Sequence, residues 1–204
     1  MVIFLGLLVM LVVAMWSYKY AWWKSAVDWK RPRVLMYHMV REHIKGAKFN
    51  KLRVTPAEFE KQVAWMKADG FHFVTMQELQ ANWGKHPEKT VAITFDDGYL
   101  DNLEHAFPIL EKYQAKATIY VVVDRHDRDW STYKKAHHNS GELAREPKLS
   151  DVQVQQLAHS GLVEIASHTL THANLDKLDD TQCFMELSES KQKLEELTAQ
   201  PVTS

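Results

Sequence analysis

Five short apolar runs, each followed by a helical pattern, recur in series between residues 33 and 200, and this alternation constrains the chain more than any other feature. The runs are 34–37, 71–74, 90–95, 117–123 and 162–166. Consecutive parallel strands need a crossover long enough to hold a helix, and such crossovers are right-handed. The pattern therefore predicts an α/β fold around a parallel sheet, either open or closed into a barrel. The intervening segments carry their own start and stop signals. Thr55 reads as an N-cap with Pro56 at the first helical position and Glu58 completing a capping box. Phe59, Val63 and Met66 then share one face, and Gly70 ends the helix. A short helix is expected at 77–81, one containing Pro108 at 102–114, one capped by Ser150 that ends before Gly161, and a long one at 180–198. The charge run 188–196 reads as a solvated helical face.

Residues 1–16 are unbroken apolar sequence and stand apart from this pattern. As a helix they rise about 24 Å, and the aromatics Tyr18, Tyr20, Trp22 and Trp23 could complete a span of roughly 30 Å. With no basic stretch before it and no small-x-small cleavage site, the segment reads as an uncleaved transmembrane anchor over 1–23, joined to a linker at 24–32. Lys19, Lys24, Lys30, Arg31 and Arg33 lie after it, which by the positive-inside rule would keep the rest of the chain cytoplasmic. Residues 33–204 suffice for one domain with a core of its own.

The balance of charge excludes some functions. Twenty-five basic against 26 acidic residues give a net charge of −1, so no global pull toward nucleic acid is expected. The lone Cys183 excludes an intramolecular disulfide and a Cys-x-x-Cys metal site, and it reads as a small, buried or half-buried helical side chain. Two connections are long, 39–54 and 124–149. The second contains Trp130, Tyr133, His137 and His138, and reads as either a solvated loop or a wall of a substrate groove.

Ionisable residues collect where the apolar runs end. The first run delivers His38, the third Asp96 and Asp97, and the fifth Ser167, His168 and His172. Residues just past the C-terminal ends of parallel strands converge on one face of the sheet. Taken singly, His38 could be a satisfied core histidine, Asp96-Asp97-Gly98 a turn, and His168/His172 a chance spacing. Together they form a coherent set. Two neutral imidazoles and one carboxylate can hold a divalent ion with open positions. Adjacent aspartates at a strand end point in different directions, so one can bind the ion while the other stays free as a base.

At this point the residues resemble a known family. Thr94-Phe95-Asp96-Asp97-Gly98-Tyr99 and Ser167-His168-Thr169-Leu170-Thr171-His172 are similar to the first two motifs of the polysaccharide deacetylases with a NodB-homology domain (carbohydrate esterase family 4). The resemblance covers roughly 33–204. It implies a distorted (β/α) barrel that removes N-acetyl groups from N-acetylglucosamine polymers or peptidoglycan. It makes Asp96 the general base, and Asp97, His168 and His172 the ligands of a divalent metal, Zn2+ first, with Co2+ or Ni2+ as alternatives. Met36-Tyr37-His38 and the helix after Thr55 look more like the exported deacetylases of poly-β-1,6-N-acetylglucosamine. In that subgroup the catalytic histidine comes from the first strand, which makes His38 the general acid.

The implied partners are the glycan and, through the N-terminal helix, the membrane. The domain would face the periplasm or the cell exterior, contrary to the positive-inside reading. The sequence also departs from the family. Its members continue past the long helix with an Arg-x-x-Pro-Tyr or Pro-Tyr-Gly motif and further β/α units, where this sequence has Gln200-Pro201-Val202-Thr203-Ser204. About five β/α units do not close a barrel, so an incomplete barrel is expected. Two rival readings stay open: a non-catalytic remnant that keeps metal or glycan affinity, and a hydrolase of small amides.

Overall fold

The computed structural model describes residues 2–126 and 141–204. Trp130, Tyr133, His137 and His138 lie outside the described residues. The chain begins with α1 (Val2–Tyr20), whose side chains from Phe4 to Trp16 are exposed. The transmembrane expectation is not met: among the described residues no helix is long and apolar enough to cross a membrane. The uninterrupted apolar part, 2–16, rises only about 22 Å before it runs into Ser17, Tyr18 and Lys19, against a hydrocarbon core of roughly 30 Å. The expected linker is partly docked. Trp29 packs edge-on against Phe71 at 5.2 Å, and its carbonyl accepts a bond from Lys89 N at 3.0 Å.

The five expected strands all form, as β1 (Arg33–Tyr37), β4 (His72–Val74), β5 (Thr90–Phe95), β6 (Ala117–Val121) and β7 (Val163–Ser167). A two-stranded pair, β2 (Met39–Val40) with β3 (Arg53–Val54), was not anticipated. Every pairing in the main sheet is parallel, in the order β1-β5-β6-β7. β4 pairs only with the first half of β5, at His72↔Thr90 to Val74↔Ala92, while β6 takes the second half at Ile93↔Ala117 to Phe95↔Ile119. Among the described residues the sheet is open, with β1 and β7 at its ends, so they form no closed barrel, and an incomplete one is what about five β/α units lead one to expect.

β5 is buried along its whole length because it is central and covered on both faces, which is why it reads as a continuous apolar run. β1 lies at an edge, and its Val34 and Met36 are 51% and 65% exposed. An uncovered apolar face beside an unpaired edge is a surface that a fuller sheet would bury.

The helices form where the caps predict. α2 (Pro56–Ala68) starts with Thr55 Oγ1 accepting from Glu58 N and buries Phe59, Val63 and Met66. It ends in a Schellman turn: Phe71 N donates to Met66 O at 2.9 Å and Gly70 N to Lys67 O at 3.2 Å. Gly70 sits at φ +80°, which a side chain would strain. Reciprocal capping boxes close the starts of α3 (Met76–Ala81), α6 (Asp151–Ala158) and α7 (Asp180–Thr198). Between α3 and α6 lie α4 (Phe107–Tyr113) and the short α5 (Glu142–Arg145).

Two local expectations need correction. The single helix expected at 102–114 is a π-turn over Asn102–Ala106 that leads into α4. Pro108 has no N–H to bond a carbonyl four residues back, and the wider turn accommodates this. The 188–196 face of α7 is not wholly solvated: Ser190 and Leu194 are buried, and Lys191 Nζ donates to Val202 O at 2.7 Å. Cys183 is half-buried as expected.

Candidate active site

The C-terminal ends of β1, β5 and β7 bring His38, Asp96, Asp97, His168 and His172 together, as the sequence predicts. The β5 ladder extends one residue further, with Asp96 N donating to Tyr37 O at 2.9 Å. The chain then turns sharply through Asp97 at φ 76° and Gly98 at φ 71°. That turn separates the two aspartates. Asp96 faces His38, with Oδ2 3.9 Å from Nε2, while Asp97 Oδ1 lies 3.4 Å from His168 Nε2 and 3.3 Å from His172 Nε2.

Asp97 is a non-glycine residue in the left-handed region, as are Thr169 (φ 68°) and His172 (φ 59°). Each such position costs roughly 1–3 kcal/mol and persists only where its surroundings hold it. These three lie on the two segments that carry the Asp97, His168 and His172 donors, while Ala21, Lys89, Gln114 and Ala199 adopt the same region elsewhere.

The three donors fit a divalent cation. They are the one group of this kind among the described residues, with ligand atoms all within 4.8 Å of one another. Asp97 Oδ1 is buried and has no hydrogen-bond partner, although two imidazole nitrogens flank it. An unsatisfied buried carboxylate oxygen is costly, and a cation removes that cost. Donors about 2.0–2.1 Å from a common tetrahedral ion stand about 3.3–3.4 Å from one another, which is the spacing found between Asp97 Oδ1 and each imidazole nitrogen. Exposure differs in a useful way. The Asp97 side chain is 5% exposed, whereas His168 and His172 are 32% and 30% exposed, so one side of the cluster opens to solvent.

The electrostatics point the same way. Burial pushes the Asp97 carboxyl up, but the adjacent His168 and His172 imidazoles outweigh it and hold the group well below the usual carboxylate range. Burial lowers His168, and the neighbouring Asp97 carboxylate more than reverses that, so this imidazole favours a proton. The pocket around Asp97 is thus arranged for positive charge. Asp96 behaves in the opposite way: burial raises its carboxyl, only partly offset by His168 and His38. The pair of aspartates is split into one permanent anion and one better base.

The sequence did not single out the groups that hold these side chains. Asp101 Oδ1 accepts from Val40 N at 3.0 Å, and Asn102 Nδ2 donates to His38 O at 2.8 Å, so the π-turn grips the turn that carries His38. Arg53, its side chain fully buried, bonds Glu142 Oε1 at 3.0 Å and Glu146 Oε1 at 2.5 Å, joining the two long connections. Arg125 Nε donates to Leu149 O at 2.5 Å and so anchors the second connection. An Asp-Asn pair inside a helical pattern was the one available signal, since such side chains often bond nearby backbone. Two hollows of about 450 and 270 Å³ lie elsewhere, toward the strands' N-terminal ends around Lys116. The candidate cluster, with His168 and His172 about a third exposed, opens to solvent on one side.

Asp101 permits a test of local energetics. Burial pushes its carboxyl up to about 6 from 3.8, with Val40 N, Arg41 and His105 opposing. The folded state then binds more protons than the unfolded state between those values, so this group's contribution to stability falls as pH rises across that window. Asp101→Asn keeps an acceptor for Val40 N but cannot ionise. Urea unfolding should show its stability, relative to the parent, improving by up to about 3 kcal/mol between pH 4 and pH 7. A difference that stays constant with pH would show that Asp101 is not buried as an anion.

A parallel β/α domain with Asp, His and His gathered beside a free Asp–His pair defines a class, that of hydrolase folds with a candidate metal site. The model of the polysaccharide deacetylase family matches residues 84–204, and the chain belongs to that family. It is 34% identical over 186 residues to YxkH of Bacillus subtilis (strain 168), whose name places it among the polysaccharide deacetylases, covering 90% of this chain and 58% of that one. It is 30% identical over 147 residues to a poly-beta-1,6-N-acetyl-D-glucosamine N-deacetylase of Staphylococcus epidermidis, covering 66% of this chain and 47% of the relative. The crystal structure of BC0361, a polysaccharide deacetylase from Bacillus cereus, superposes with a TM-score of 0.67 at 32% identity, over 84% of this chain and 48% of that one. The chain thus spans about half the length of the relatives it matches.

Proposed function

We propose that the domain hydrolyses N-acetyl groups on an N-acetylglucosamine polymer of the poly-β-1,6-linked type. The observation that carries this is the division of the site. Asp97, His168 and His172 meet around one buried oxygen, while Asp96 and His38 face each other at 3.9 Å beside them. Asp97, His168 and His172 would hold a divalent ion, Zn2+ by its preference for imidazole and carboxylate, which supplies a more acidic water and a stabilised oxyanion.

The remaining steps belong to the chain's own residues. Asp96, made more basic by burial, takes the proton of the attacking water as its oxygen bonds the acetyl carbon. His38 gives a proton to the amide nitrogen as the C–N bond breaks, leaving acetate and a free amine. An open site at the sheet's rim admits one unit of a long polymer, which an enclosed pocket would not. The similarity to the Staphylococcus epidermidis enzyme supports the glycan class. The same reading puts the domain on the outer side of the cytoplasmic membrane, where such a polymer lies.

The test is acetate release from N-acetylglucosamine oligomers by the purified full chain with Zn2+ added. His38→Ala is expected to lower kcat by about 10²–10⁴-fold, the usual worth of a positioned acid or base. Activity on small N-acetyl amides alone would favour the small-amide reading. No release from a folded, metal-loaded sample would favour a domain that binds without turnover.

A further inference from the structure

We propose that Glu186, on α7, is a positioning residue that sets the separation of His168 and His172 and thereby the affinity of the metal site; this rests on the metal reading of Asp97, His168 and His172 given above. The segment from His168 to His172 has no regular structure and contains two left-handed residues, Thr169 and His172. A strained segment of this kind holds its shape only if its polar groups are tied from outside.

Two sets of bonds tie it. On one side the end of β6 reaches across: His168 N donates to Val121 O at 3.0 Å, Val123 N to Thr169 O at 3.3 Å and Asp124 N to Leu170 O at 2.8 Å. On the other side a single carboxylate takes three bonds. Glu186 Oε2 accepts from both Leu170 N and Thr171 N at 2.9 Å, and Oε1 accepts from Thr171 Oγ1 at 2.7 Å. One helical turn further along α7, the buried Ser190 Oγ lies 2.7 Å from Ser167 Oγ, just before His168. The i, i+4 spacing places Glu186 and Ser190 on one face of α7. Glu186 therefore captures the Leu170 and Thr171 donors, while within the loop Ser167 Oγ accepts from Thr169 N at 3.3 Å and Thr169 Oγ1 from Ala173 N at 3.2 Å.

Groups that orient ligands without touching the ion commonly change metal affinity by 10–100-fold when removed. The experiment is a Zn2+ titration of the metal-free full chain by competition with a chromogenic chelator, combined with amide hydrogen exchange, on the parent, Glu186→Ala, Glu186→Gln and Glu189→Ala. Glu186→Ala is expected to weaken Zn2+ binding about 10–100-fold. It should also speed exchange at Leu170 and Thr171, while Ile165 in β7 keeps its protection. Glu186→Gln retains an acceptor oxygen and should recover most of the affinity. Glu189→Ala removes the same charge from the same helix and should bind as the parent does.

Unchanged affinity together with unchanged exchange at Leu170 and Thr171 in Glu186→Ala would overturn the proposal. So would equal weakening by Glu189→Ala or Glu186→Gln, which would assign the effect to charge alone. A parent chain that binds no Zn2+, or binds it equally well after Asp97→Asn, would sink the metal reading instead. The exchange rates of the metal-free proteins would still decide whether Glu186 holds the loop.

Discussion

Asp97→Asn is expected to leave the protein folded but without a bound divalent metal, and to lower acetate release by about 10³-fold or more. Asparagine is the informative replacement because it tolerates the left-handed backbone that Asp97 adopts at φ 76°. Alanine at that position would add backbone strain to the loss of the ligand. The asparagine removes the negative charge that His168 and His172 converge on from 3.4 and 3.3 Å. A metal ion supplies several kcal/mol of transition-state stabilisation, and each 1.36 kcal/mol is about a tenfold change in rate, hence the expected size. Metal content by elemental analysis and acetate release should fall together. If the zinc-to-protein ratio stayed at the parent's value, Asp97 would be no ligand.

Asp96→Asn should separate the two functions of the aspartate pair. The metal should remain bound, because Asp96 faces His38 and not the three-donor cluster. Acetate release should fall about 10²–10⁴-fold, since an amide cannot take up the water's proton. The opposite responses of adjacent residues make the pair a sharp test: one variant loses metal and rate, the other rate alone. Substantial turnover in Asp96→Asn would remove Asp96 from the role of base. Loss of metal from it would mean that the division between the two carboxylates is wrong.

How much of this was legible in the sequence can be judged from particular residues. The strand ends were legible because apolar runs must stop where the sheet meets solvent, so His38, Asp96-Asp97 and His168 announce their own location. The limits of β5 and α7 agree with the sequence to the residue, since both are bounded by strong cap and turn signals. The wedge of β4 against half of β5 was not legible, because it depends on which strands become neighbours. The π-turn at Asn102–Ala106 was missed because Pro108 reads locally as a helix irregularity of no defined kind. The N-terminal segment reads as a span by composition, yet its apolar length falls short.

The sequence by itself determined the periodicity, the caps, the parallel β/α class and the five candidate site residues, all of which are local properties of backbone and side chain. Only the tertiary structure decided that Asn102 holds the carbonyl of His38 and that Glu186 reaches across to the loop between His168 and His172. The physical reason is that these bonds join positions far apart in the chain. A hydrogen bond between distant segments leaves no periodic trace, because its partners are chosen by register and packing.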